Sequence, residues 1–243
     1  MKLTNLFENT INHQQIKDWL KKMKIGNYII NEDGTVDVLG GVNISGRYKN
    51  TRVKVTSIPI QFGYVEGTFN CSDNQLTSLN GCPREVGGSF DCSHNNLTSL
   101  QYSPREVGHG FFCQINQLTS LKGCPREVGG NFICSNNNLT SLQGMPPRIS
   151  GGFSCSTNEL TDLKGASSQV AGSFLCTNNR LTSLQGAPKQ VGGSFDCSRN
   201  FLTSLQYAPE HVGNNFWCSS NRLGDSPDHS FINIDGIFVW EQQ

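Results

Sequence analysis

The chain of 243 residues has no apolar run of transmembrane length, no excess of charge of either sign, and little apolar residue for a domain of its size. A membrane helix needs about 20 consecutive apolar residues, and none is present. The start, MKLTNLFENT, also lacks the apolar stretch of a secretory signal, so the sequence predicts a soluble protein made for the cytoplasm. Lys plus Arg and Asp plus Glu number 19 each. No long-range field therefore draws phosphate backbones or anionic lipid, and neither nucleic acid nor membrane is an expected partner. An apolar fraction of 35% suits a thin continuous core with two long solvated faces better than a globule. There is no C-x-x-C pair to hold zinc and no glycine-rich phosphate loop, so no cofactor, metal or small-molecule substrate is expected. The acid-base groups that gather are Asp73, Asp91, His94 and His109. No nucleophile accompanies them and an open sheet does not exclude water, so the chain reads as a non-enzyme.

What the chain has is a period. Cys71, Cys92, Cys113, Cys134, Cys155, Cys176, Cys197 and Cys218 follow one another at intervals of 21 residues. A Phe stands two residues before each, an Asn three after and a Leu two beyond that; one unit reads GGSFDCSHNNLTSLQYSPREV from Gly87 to Val107. This order and period resemble the leucine-rich-repeat family. The resemblance implies an α/β-type repeat solenoid, a right-handed coil with a parallel β-sheet on its concave face, one short strand per coil, and a short N-terminal helical cap. It also implies that the Asn amides turn inward to bond the backbone of adjoining coils.

In Ser89-Phe90-Asp91-Cys92-Ser93 alternate side chains point to opposite faces, so Phe90 and Cys92 go inward and Ser89, Asp91 and Ser93 outward. Leu97, Leu100 and Val107 close the core. The Gly-Gly pairs (Gly87-Gly88, Gly129-Gly130, Gly192-Gly193) read as bends or bulges, since glycine alone enters positive φ without penalty. The cysteine column is packing: equivalent Cβ atoms on adjacent coils stand side by side about 4.8 Å apart with parallel vectors, which a disulfide cannot use. Cys82 and Cys124 are two coils apart and cannot reach each other. Ten reduced thiols predict a reducing compartment.

The chain divides into an N-terminal cap at 1–40, a degenerate first coil at 41–66, eight repeats at 67–223 and a C-terminal cap at 224–243. In the first cap Asn12 and Gln15 form a capping box for a helix whose apolar face is Ile16, Trp19, Leu20 and Met23, ending near Gly26. Tyr28-Ile29-Ile30 and Val36-Asp37-Val38 read as a hairpin. Val42 and Ile44 stand in the Phe and Cys phase of the degenerate coil, Ile58 stands in its later Leu turn, and Arg47-Tyr48-Lys49-Asn50-Thr51-Arg52 is its expected loop. Asp235-Gly236 between residues 231–234 and 237–240 predicts a second hairpin.

Function is sought where the copies differ on the outward face. The residue before each cysteine runs Asn70, Asp91, Phe112, Ile133, Ser154, Leu175, Asp196, Trp217. Phe112, Ile133, Leu175 and Trp217, with Ile115 at a strand end, form an apolar strip bounded by Asp91 and Asp196, the composition of a protein interface. Arg199 stands in a basic group with Arg180 and Arg222 in the late coils, opposite in sign to Asp73 and Asp91 in the early ones. The expected partner is thus a protein that docks on Asp91, Phe112, Ile115, Ile133, Leu175, Asp196, Arg199 and Trp217. The pairs Arg84-Glu85, Arg105-Glu106 and Arg126-Glu127 read as copied surface. Tyr102 and Tyr207 replace the usual Gly of their turn and are secondary interface candidates.

The pattern F-x-C-S-x-N-x-L-T-S-L-x-G-x-P-x-x-V-G-G, preceded by a helix and the segment Asn27 to Val38, is similar to repeat proteins encoded by tailed bacteriophages and some large viruses. That resemblance implies a small intracellular binder that occupies a host protein, such as a defence component. The alternative is a structural or adhesive virion part, which acts outside the cell, where ten unpaired thiols are a liability.

Overall fold

The computed structural model describes residues 12–46 and 54–240. Each copy forms one coil, and like positions of successive coils pair in parallel: Phe69 with Phe90, Phe90 with Phe111, and so on to Phe216 with Phe238. The resulting ladder has 10 two-residue strands and begins at Val42–Asn43, which pairs with Phe69–Asn70. Alternation along each strand buries Phe and Cys and turns the residue between them outward. The phenylalanines stack in one column, with successive ring centroids between 5.0 Å (Phe111–Phe132) and 5.7 Å (Phe69–Phe90) apart. Such offset pairs add to area burial. No coil encloses its own Phe, so the core exists only as a stack. This is the leucine-rich-repeat solenoid architecture.

Each coil makes two strands, where the sequence predicts one. Glu85–Val86, Glu106–Val107 and Glu127–Val128 pair in parallel as a second ladder. The segment is pre-extended: a proline fixes φ just upstream, a β-branched valine ends it, and the same segment lies one coil away to bond with. Arg105 N–H donates to the Arg84 carbonyl at 2.8 Å and Gly108 N–H to that of Val86 at 2.9 Å. The Arg-Glu pairs are therefore strand residues. The second ladder is broken once, into a 7-stranded piece ending at Arg148–Ile149 and a 4-stranded piece starting at Gln169–Val170. At the break the donors that carry the ladder elsewhere are not used. Arg126 N–H donates to the Arg105 carbonyl and Gly129 N–H to that of Val107, whereas their counterparts Ser168 and Ala171 make no such bond to the coil of Pro147 and Ile149.

The Gly-Gly corners are explained by crowding, and the expectation of positive φ is overturned. None of the glycines in the pairs Gly87-Gly88, Gly129-Gly130 and Gly192-Gly193 has positive φ; within the repeats that conformation belongs to Gly81, Gly123, Gly144, Gly165 and Gly186 in the turn after Leu-Thr-x-Leu. A Cβ on Gly108 would run into the carbonyl of Gly87, one on Gly129 into that of Gly108, and one on Gly192 into that of Ala171. These corners touch backbone to backbone, which glycine permits because it has no Cβ; Ser150 and Ala171 hold the same column on the two sides of the break in the second ladder.

The Asn column does what the family resemblance implies. Asn95 Nδ2 donates to the carbonyls of Cys71 and Cys92 at 3.0 and 3.1 Å, and its Oδ1 accepts from Leu76 N–H at 2.9 Å. One buried amide thus joins two coils, and the pattern recurs through Asn221. The ten thiols are free, and all but that of Cys124 are buried. Cys113 Sγ lies 3.5 Å from the Ile133 carbonyl and Cys134 Sγ 3.3 Å from that of Ser154. Burial pushes these two thiols well above the ordinary range and that of Cys124 up to about 12.

At the N-terminal end the helix His13–Lys22 carries the capping box: Asn12 Oδ1 accepts from Gln15 N–H, and Gln15 Oε1 from Asn12 N–H. Ile16 and Leu20 are buried, and Trp19 meets Phe62 edge-on at 6.2 Å. Tyr28–Ile30 and Val36–Val38 pair antiparallel. The basic stretch Arg47 to Arg52 lies outside the described residues. The hairpin expected at the other end does not form. Asn233–Ile234 pairs in parallel with His211–Val212 and Phe238–Val239 with Phe216–Trp217, so Asp235-Gly236 is one more corner between the two ladders.

Candidate functional site

Strand register puts the residues preceding the cysteines in one unbroken row on the outer face of the long ladder. The pairs run Asn70–Asp91, Asp91–Phe112, Phe112–Ile133, Ile133–Ser154, Ser154–Leu175, Leu175–Asp196 and Asp196–Trp217. Six of the eight predicted site residues, Asp91, Phe112, Ile133, Leu175, Asp196 and Trp217, are thus brought together. They are half-buried, because neighbours in the row lean on one another. Ile115 and Arg199 lie off the row, in the column just past each strand, where both have φ 55°.

That column is left-handed in every regular coil, and half of its members suit it: Asp73, His94, Asn136 and Asn178 belong to the types that tolerate this conformation. Ile115, like the β-branched Thr157, does not suit it. A β-branched residue is strained at positive φ, and 42% of Ile115 is exposed, so core packing does not explain it. Tyr102 and Tyr207 present the same anomaly in the glycine column, at φ 69° and 68° with 58% and 54% exposed.

The row is backed by a polar stitch. In the position before each strand Phe, a side chain accepts from the backbone of the next coil: Ser89 Oγ from Gly110 N–H at 3.2 Å, Asn131 Oδ1 from Gly152 N–H at 2.8 Å, and Ser173 Oγ from Ser194 N–H at 3.1 Å. Glycine replaces the acceptor at Gly110 and Gly152. Both replacements serve the strip. A Cβ on Gly110 would strike the ring of Phe112, so the glycine is the seat on which that ring lies. Gly151, Gly152 and the short Ser154 floor a hollow of about 290 Å³ walled by Ile133 and Leu175. Sequence reasoning missed both glycines, although their departure from Ser or Asn, two residues before a row position, was visible.

The aspartates are held locally. Asp91 Oδ1 accepts from Ser93 N–H at 3.0 Å and from its hydroxyl at 2.6 Å. Ser93, expected to face outward, is therefore tucked in and buried. Asp196 Oδ1 accepts from Ser198 N–H at 3.0 Å. Burial raises the Asp196 carboxyl above its ordinary range, with Ser198 and Arg199 opposing. The late basic residues have neighbours of their own. Arg180 lies 3.5 Å from Glu159, and the Arg222 guanidinium sits 4.7 Å over the Phe201 ring, which the sequence reading also missed. His94 Nδ1 is 3.9 Å from Asp73, and His109 is exposed at a corner. Among the described residues no group of three or more His, Cys, Asp or Glu side chains could hold a metal ion, and no helix is long and apolar enough to cross a membrane.

No family model and no curated protein matches the chain. It is similar to one solved structure, YopM from Yersinia enterocolitica WA-314, at 17% identity and TM-score 0.36, over 82% of this chain and 55% of that one. The chain thus spans about half the length of that protein.

Proposed function

We propose that this chain is a non-catalytic protein-interaction module whose partner docks on the outer row of the long ladder. The hollow between Ile133 and Leu175 carries the reading. It is a recess with apolar walls on an open face, formed where the coil gives up an acceptor that its neighbours use, with the seated ring of Phe112 one coil before Ile133 and Trp217 two coils past Leu175. Recesses that take one side chain, with aromatic anchors nearby and acids at the rim, are how interfaces concentrate binding energy.

The partner is a protein of the cytoplasm in which the chain is made. Ten free cysteines support a reducing compartment, and the resemblance of the repeat to phage-encoded proteins makes a host defence protein, bound and thereby inhibited, the class to test first. A partner captured from the host and identified by mass spectrometry is measured against Phe112→Ala and Trp217→Ala. Either should weaken binding by about 2 kcal/mol or more with melting unchanged, whereas Phe111→Ala, on the inward face, should lower melting by opening a cavity that costs about 3–5 kcal/mol. Full affinity in both outer-row variants overturns the reading.

A further inference from the structure

Coil 87–107 recurs almost unchanged as 192–212. The two differ only at His94/Arg199, Asn96/Phe201, Ser103/Ala208, Arg105/Glu210 and Glu106/His211. Both place an aspartate in the outer row, and in both cases the next coil sets an aromatic ring beside it: Phe112 next to Asp91, Trp217 next to Asp196. Between Asn70 and Trp217 the row has no other acid and no other ring. A carboxylate beside an aromatic ring has a definite complement. A cation pairs with the acid while the ring quadrupole attracts it from the side, and the flat guanidinium of arginine satisfies both at once.

Two further observations point to an incoming donor. Gln114 stands two residues beyond Phe112, where the other regular coils have Ser or Thr, and its Oε1 is buried without a hydrogen-bond partner among the described residues. Such an acceptor is costly to leave unmade, and a turn of the Gln114 side chain toward the row would let a docked donor satisfy it. Asp196 is held above its ordinary carboxylate range chiefly by desolvation, a penalty that the attraction of an arriving cation offsets.

Resting on the docking face assigned above, we propose that the two Asp-aromatic stations receive two cationic side chains of one elongated protein segment lying along the row. Five coil steps separate the stations, about 24 Å at the usual interstrand spacing of about 4.8 Å. The apolar residues of the segment between its cations then face Ile133, the hollow and Leu175.

Proline rulers test this without knowledge of the natural partner. A fluorescein-labelled peptide with arginines at both ends of seven prolines spans about 25 Å, and one with two prolines about 9 Å, at about 3.1 Å per residue. By anisotropy the long ruler should bind about tenfold or more tighter than the short one, and than a long ruler with a single arginine. Asp91→Asn or Asp196→Asn, which both keep an oxygen for the serine N–H, should each reduce it to the single-arginine level. Equal binding of long and short rulers, no binding by either, or indifference to both substitutions overturns the proposal. If Phe112→Ala and Trp217→Ala weaken the natural partner while the rulers fail, the docking face stands and the cation stations alone fall.

Discussion

At the scale of single residues, the same side-chain type means opposite things according to which face of a two-residue strand it occupies. Phe111 and Phe112 are adjacent, yet Phe111 is one ring of a buried column and Phe112 lies on Gly110 at the surface. Asp196 shows the cost of an outer-row position. Its carboxyl is raised in the folded protein, so the native state holds the proton more tightly than the unfolded chain does. For an acid shifted that way, stability is relatively favoured where the group is protonated and is lost as pH rises through the carboxylate range. Asp196→Asn should therefore raise the melting temperature at pH 7. The gain should shrink to nothing below the ordinary value of 3.8, where both states of the wild-type carboxyl are neutral. Thermal melts of the two proteins at pH 7 and pH 3 check it, and a variant less stable at pH 7 would show that the carboxylate is paired rather than merely desolvated.

At the scale of the element, what was legible in the sequence followed from strict periodicity, and what was not followed from weak or ambiguous local signals. The Phe, Cys, Asn and Leu columns repeat without exception, and from them the long ladder and its register could be stated, while the inward Asn amides were implied by the family resemblance. The second ladder is made of two-residue strands such as Glu106–Val107, too short for an alternation to show. Asp235-Gly236 is a good hairpin turn in isolation, but parallel edges one coil away bind its flanking residues first. The glycine corners were noticed for the wrong reason, because a sequence displays a glycine without displaying the carbonyl that would strike its Cβ. The strip was legible as a pattern, whereas the hollow depends on how Gly152 and Ser154 sit between neighbours. The break in the second ladder has a consequence of its own. Ser168 and Ala171 make no backbone bond to the coil below, whereas their counterparts Lys189 and Gly192 donate to Ser168 and Val170 at 2.8 and 2.9 Å. Native-state hydrogen exchange should find Ser168 and Ala171 N–H about fivefold faster than Lys189 and Gly192, the difference one backbone bond of about 1 kcal/mol makes. Equal protection would mean that the ladder closes in solution.

At the scale of the whole molecule, an aromatic column runs from Trp19 at the helix through Phe62 and the repeat phenylalanines to Phe238 and Trp240. Stability is then a sum over coil-to-coil contacts, with no single coil indispensable. Phase matters more than length. Deleting residues 150–170, one complete period, joins Ile149 to Ala171 and lets Phe132 pair with Phe174 and Asn137 bond with the coil of Asn179. Such a protein should melt in one cooperative transition at a somewhat lower temperature than the parent. Deleting only 151–170 moves every later side chain out of phase, sets Phe against the neighbouring column and should abolish the cooperative melt. The same in-phase deletion removes Ser154 and with it the hollow, and it shortens the distance between Asp91 and Asp196 by one coil, to about 19 Å. The long proline ruler should lose its advantage on this variant, and a ruler of five prolines, about 19 Å from arginine to arginine, should gain it. If the out-of-phase deletion melts as well as the in-phase one, coil stacking is not what holds the chain. If the in-phase variant folds but still prefers the long ruler, the two aspartates are not what the ruler measures.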